Sequence, residues 1–239
     1  MNQLLIFDLV AKYREVETTN PPLFEKVKQS VDILFKAFDD FGIDCTIVSY
    51  NGGKDSDACA HLWRLALYLY LDAKGRLGEY QETVDNSIFI VFHSPEDFEE
   101  INKHLKETVS AIGVQVYHSS KSFKEGVKGV IDHYGTKAVV LGVRRSDPQG
   151  ANLNVHTPST PDYPPFMRVL PLLEWTYGDV WNFLLTFQIP YCELYDQGYT
   201  SIGTKKNTLK NEALRQADGS YASARFLEDW SLERGIRTY

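Results

Sequence analysis

Cysteine is scarce: Cys45, Cys59 and Cys192 are the three in 239 residues, and they form neither a CxxC pair nor a Cys/His spacing of the zinc type. That excludes a disulfide framework and a zinc ribbon, and it points to buried thiols in a reducing compartment. No apolar run approaches the ~20 residues of a membrane span. The opening MNQLLIFDLVAK is interrupted by Asp8 and has no preceding basic segment, so it does not fit a signal peptide. A cytoplasmic location, with no membrane partner, is expected. Basic charge is in deficit, with 25 Lys and Arg against 32 Asp and Glu and a formal net charge of -7. Nucleic-acid binders usually show a basic face, so broad binding to nucleic acid is not expected and only local basic clusters remain. The chain also lacks a Walker A loop, a GxGxxG fingerprint, an internal repeat and any low-complexity tract.

What the chain does contain is an ordinary globular balance, 43% hydrophobic and 24% charged, enough to bury a sizeable core. Its length suits one domain with extensions. Residues 2–14 and 22–41 carry apolar positions at helical spacing, separated by Asn20-Pro21-Pro22, and are expected as covering helices. After Gly42 short apolar runs alternate with helical stretches: CTIVSY then 55–72, SIFIVF then 95–112, VQVYH then 122–134, and KAVVLGV then a long loop. This alternation predicts an α/β fold with a parallel sheet. Ser94-Pro95 is expected to start the second of these helices and Gly113 to stop it. Residues 144–165 are expected as loop, and Thr176 as the cap of a helix over 177–187.

Parallel sheets bind ligands beyond the carboxyl ends of their strands, which directs attention to residues 51–57 and 143–150. In Asn51-Gly52-Gly53-Lys54-Asp55-Ser56 a strand turns through two glycines into a helix, exposing backbone N–H groups and the positive end of the helix dipole to an anion. Two glycines alone would equally serve a tight strand–helix turn. The acids beside such an anion require a metal ion between them.

Taken whole, the string resembles the loop of the PP-loop ATP pyrophosphatases and adenylyl-transfer enzymes. Within that superfamily SYNGGKD, LGVRRSDPQGAN (141–152), PFMRVLPLLEWTYGDVWNFLL and PYCELYDQGYTSIG resemble the eukaryotic-type FMN adenylyltransferases, or FAD synthases, over roughly residues 45–239. The resemblance implies a three-layer PP-loop ATPase fold of the adenine-nucleotide alpha-hydrolase type. It divides one domain, 1–239, into covering helices (1–42), a nucleotide-binding core (43–189) and a C-terminal extension that completes the flavin site (190–239). The implied reaction joins FMN and ATP to give FAD and pyrophosphate, with Mg²⁺, in a monomer. A sulfonucleotide reductase is the alternative, but it needs a tail cysteine and none follows Cys192. A nucleotide-binding relative without turnover is the third reading.

The resemblance implies roles residue by residue. Asn51, Gly52, Gly53 and Lys54 would cradle the leaving pyrophosphate, with the Ser56 hydroxyl contributing. Asp55 would cap the helix or orient Lys54. Asp147 would hold magnesium, with Asn51 as its companion through a side-chain oxygen. Arg144, Arg145, Arg168 and the tail residues Arg234 and Arg237 would line the flavin and phosphate region, although taken singly each is as compatible with a solvated charge. Tyr163, Phe166, Trp175 and Trp181 would offer a wall for isoalloxazine or else belong to the core. Adenine would be held by backbone groups of Val91, Phe92 and His93.

Overall fold

The computed structural model describes residues 5–234. Two helices, α1 (Ile6–Thr19) and α2 (Pro21–Phe41), lead into β1 (Thr46–Tyr50). Then come α3 (Lys54–Ala73), α4 (Tyr80–Asn86), β2 (Ile88–Phe92), α5 (Glu99–Ile112), β3 (Gln115–Ser119), α6 (Phe123–Tyr134) and β4 (Ala138–Val140). A short hairpin-like pair, β5 (His156–Pro158) and β6 (Met167–Val169), precedes α7 (Tyr177–Thr186), and the rest of the described chain runs in loops and single 3-10 turns. Asn20 caps α2 through its side chain, Pro21 fills the first helical position, and Gly42 ends the helix with a φ of 85°.

The sheet has the order β3-β2-β1-β4-β6-β5, parallel throughout except for the antiparallel edge strand β5. From β1 the chain steps outward to β2 and β3, then crosses back through α6 to place β4 on the other side of β1. The strand order therefore reverses between β1 and β4, which opens a crevice at their carboxyl ends. On one face α3 is buried along nearly its whole length beneath α1, α2 and α7, and α5 joins the same hydrophobic core. On the other, Val127 and Val130 of α6 pack with Ile47, Ile88, Ile90, Val139 and Phe166. Helices on both faces of the sheet make the three layers.

Two expectations need correction. The helix expected from Ser94-Pro95 begins only at Glu99: Ser94 N–H donates to Asp97 Oδ2 and Ser94 Oγ accepts from Glu96 N–H, so the polar residues close a turn of their own. Its end is as expected, with Gly113 in the left-handed conformation. The loop expected over 144–165 contains β5, and β6 follows it; strands of three residues are too short to show a period of two.

Candidate active site

The phosphate-type loop is held by its own side chains. Asn51 Oδ1 accepts from Gly53 N–H at 3.0 Å and lies 2.8 Å from Ser56 Oγ, which is also 2.8 Å from Gly53 O. Gly52 has a φ of 73°, and a Cβ there would sit 3.3 Å from Ile101 O of α5, so only glycine fits the turn without strain. Lys54 N–H donates to Tyr195 Oη at 2.9 Å, pinning the start of α3 to the C-terminal extension. The amides of the first turn of α3 face the crevice between β1 and β4, the geometry of an anion site. Gly142, just after β4, packs against the same turn: a Cβ there would come within 3.1 Å of Asp55 backbone atoms.

Three cations and three carboxylates meet here. Lys54 Nζ pairs with Asp55 and Glu233, and Arg144 Nη2 reaches both oxygens of Glu233 at 2.6 Å. Arg144 Nε lies 2.8 Å from Asp55 Oδ1 as an ion-pair contact. Asp147 accepts from Arg144 N–H at 3.0 Å and from Arg234 Nη2 at 2.9 Å. Lys54, Arg144 and Glu233 are buried, at 1%, 0% and 5% exposure. Burial alone would push the Asp55 carboxyl up, but the charges of Lys54 and Arg144 outweigh it and hold it below its ordinary value. Burial likewise opposes the charge of Arg144, and Asp55 and Glu233 more than restore it. Lys54 Nζ also lies 5.1 Å above the Tyr177 ring.

These groups border a cleft of ≈ 270 Å³ lined by the loop from Asn51 to Ser56, by Leu141–Val143 and Asp147 after β4, and by Tyr195, Ser201, Ile202 and Arg234 from the extension. Of the residues singled out in the sequence, Asn51, Gly53, Lys54, Asp55, Ser56, Asp147 and Arg234 line this cleft together. Gly52 shapes the turn, and Arg144 lies behind it, spent on carboxylates. Asp55 is no cap, for the residue before α3 is Gly53 and no side chain caps the helix; Asp55 pairs with Lys54 and Arg144 instead.

The remaining expected residues lie elsewhere. Arg145 props the following loop through the carbonyls of Gly150, Ala151 and Leu153 and pairs with Glu174. Arg168 donates to Pro158 O across the β5–β6 pair. Trp175 is a core residue, 4% exposed, with its indole N–H on Ser30 Oγ. Phe166 and Trp181 are buried too, while Tyr163 is half-buried beside Phe123 with Lys124 over its ring. Val91 is fully buried and paired on both sides within the sheet, and His93 N–H donates to Ser119 O, so these backbone groups serve the sheet. The His93 ring stacks on His118 beside a separate cavity of ≈ 610 Å³. Arg237 lies outside the described residues.

Sequence reasoning missed Glu233 and Tyr195. Glu233 directly precedes Arg234 in ERGIR, and its adjacency to a candidate arginine was the one available signal; Tyr195 carried none. Among the described residues no group of three or more His, Cys, Asp or Glu is arranged to hold a metal ion by itself; the three carboxylates here are paired with cations. The Asn51 amide oxygen, expected as a metal ligand, is already engaged by Gly53 and Ser56.

Comparison with known proteins agrees with the fold and places the chain in a family. The family described as phosphoadenosine phosphosulfate reductase domain matches residues 46–210. A Schizosaccharomyces pombe protein named a probable FAD synthase is 33% identical over 216 residues, covering 90% of this chain and 80% of that one. A Caenorhabditis briggsae protein of the same name is 31% identical over 243 residues; the alignment covers 97% of this chain and 45% of that protein. In fold the chain is similar to yeast FAD synthetase solved with FAD, with a TM-score of 0.86 at 22% identity and 98% of each chain covered. Candida glabrata FMN adenylyltransferase solved with FMN and the ATP analogue AMPCPP gives a TM-score of 0.84 at 23% identity, covering 98% of this chain and 95% of that one.

Proposed function

Because the chain belongs to the FAD synthases, within the family built on the phosphoadenosine phosphosulfate reductase domain, we propose that it transfers AMP from ATP to the phosphate of FMN, giving FAD and pyrophosphate. The observation that carries this reading is the meeting of the Asn51–Ser56 loop with Asp147 and Arg234 across one cleft at the β1–β4 crevice. An oxygen of the FMN phosphate attacks the α-phosphorus of ATP, the bond from that phosphorus to the bridging oxygen of the β-phosphate breaks, and pyrophosphate leaves. The attacking group is already an anion, so neither a covalent enzyme intermediate nor a strong base is needed. Two polyanions must instead be brought together, and positioning with charge neutralisation supplies the acceleration.

Each group has a task in that scheme. The loop amides at the start of α3 hold the β and γ phosphates as the leaving group forms. Arg234, on the cleft wall with its side chain 30% exposed, offers guanidinium to phosphate oxygens. Lys54 and Arg144 act from behind, fixing Asp55 and Glu233 and with them the shape of the cradle.

Magnesium fits at one carboxylate. It is commonly bound through one or two carboxylates together with substrate phosphates and water. Asp147 lines the cleft, and its two accepted hydrogen bonds leave lone pairs over. Asp147 is thus the ligand the chain offers, and the ion would offset charge on the phosphates. The substrates this reading requires are small molecules, ATP and FMN, and we take the chain to act on them as a monomer. No helix among the described residues is long and apolar enough to cross a membrane.

Reduction of a sulfonucleotide is disfavoured by the thiols. Cys192 is 1% exposed and burial pushes it up to about 12; Cys59 is buried and also pushed up. Neither supplies the thiolate such chemistry needs. Incubation of the purified protein with ATP, Mg²⁺ and FMN, followed by chromatography of the flavins, tests the proposal: FAD is expected, and its absence above a no-enzyme control would reject it.

A further inference from the structure

Beneath the phosphate loop lies a buried polar unit that the chemistry above does not use. Asp57, in the first turn of α3, is fully buried; Tyr50 Oη donates to its Oδ1, and both its oxygens lie 3.0 Å from His104 Nε2. Tyr50 ends β1 directly before Asn51, and Asp57 directly follows Ser56. Both ends of the loop are therefore tied to one carboxylate. His104 belongs to α5, and α5 is the surface on which the loop rests: Gly52 is so close that an added Cβ would lie 3.3 Å from Ile101 O and 3.5 Å from Leu105 Cβ. Any shift of α5 moves the loop backbone. Among the described residues His104 Nδ1 is buried with no hydrogen-bond partner, so Asp57 is the one hydrogen-bonding group there that orients the ring. A buried charged pair is a poor stabiliser compared with apolar packing of the same volume; what it supplies is a fixed spatial relation.

We propose that Asp57, together with Tyr50 and His104, is a positioning unit for the phosphate loop, fixing both of its ends against α5 so that the first-turn amides of α3 meet the β and γ phosphates of ATP in one arrangement. The inference rests on the reading of this cleft as an ATP site. It applies to a residue that touches no substrate and acts through the backbone it holds.

The test uses the whole chain, with pyrophosphate binding measured by titration calorimetry and FMN binding followed separately by flavin fluorescence. His104→Leu and Tyr50→Phe should each weaken pyrophosphate about tenfold, the scale of losing one hydrogen bond to a charged group, with FMN affinity unchanged. His104→Gln, which restores a donor, should recover part of the loss. Weakening of both ligands together, with no recovery in His104→Gln, would overturn the inference in favour of a general packing role. So would folded variants that bind pyrophosphate like the wild type. Should His104→Leu fail to fold, Tyr50→Phe removes a single hydroxyl and decides the matter by the same criterion. Wild-type protein that binds neither pyrophosphate nor ATP would overturn the inference together with the reading beneath it, an outcome distinct from unchanged variants.

Discussion

Asp147 does two things that a sequence can show only in part. Its place in an Arg-Arg-Ser-Asp-Pro turn marks it as a loop residue near a strand end; that its carboxylate bridges Arg144 N–H and Arg234 emerges only when the tail is folded over the cleft. If it holds magnesium against the phosphates, Asp147→Asn should cut turnover by about 100-fold or more at limiting Mg²⁺. The melting temperature should move by a few degrees at most, because the turn keeps its shape. Steady-state kinetics at graded Mg²⁺ check this, and an unaltered rate at low Mg²⁺ would remove Asp147 from the metal site. The loop residues Asn51 to Ser56 were legible because strand, glycines and helix start are consecutive. Glu233 and Tyr195 were not, since they meet Lys54 from 179 and 141 residues away.

Among the elements, the C-terminal segment departs most from local rules. It has no long helix or strand in its described part, yet it is anchored at several points: Thr200 Oγ1 donates to Glu233 O, Asn211 Nδ2 donates to Leu232 O, and Trp230 covers Gly178 so closely that a Cβ there would strike its ring. These anchors deliver Glu233 between Lys54 and Arg144. Glu233→Gln keeps the shape but leaves two buried cations short of a counter-charge. It should destabilise the fold by about 2–4 kcal/mol, measured by urea unfolding, and lower turnover as the tail loosens. A stability equal to wild type would mean that the tail is not docked through this pair. Helix ends followed the sequence where one residue decided them, as at Gly42, Gly113 and Thr176. The start of α5 escaped because Ser94 and Asp97 satisfy each other in a turn, which no propensity distinguishes from a cap.

For the whole molecule, the alternation of strands and helices made the parallel sheet legible, whereas the edge pair β5–β6 and the closing of the tail depend on contacts between distant segments. The same packing gives the protein a pH response. Burial alone would lower His104, but the charge and hydrogen bond of Asp57 outweigh this and raise it. A raised folded value means that its contribution to stability is complete below the ordinary histidine value and is lost as pH rises through the folded value. Burial raises Asp57 itself, and that shift also favours lower pH. Melting temperatures across the neutral range should therefore show a downward component with rising pH that His104→Gln removes; identical profiles would assign the trend to other groups. The central claim is that one cleft joins the α-phosphate of ATP to the phosphate of FMN, and it is tested most directly with ATP labelled at its α-phosphorus in one reaction and at its γ-phosphorus in another. The account predicts that the α-label appears in FAD and the γ-label in pyrophosphate, in equal amounts; α-label released as free AMP with the flavin unlabelled, or γ-label carried onto the flavin, would contradict it.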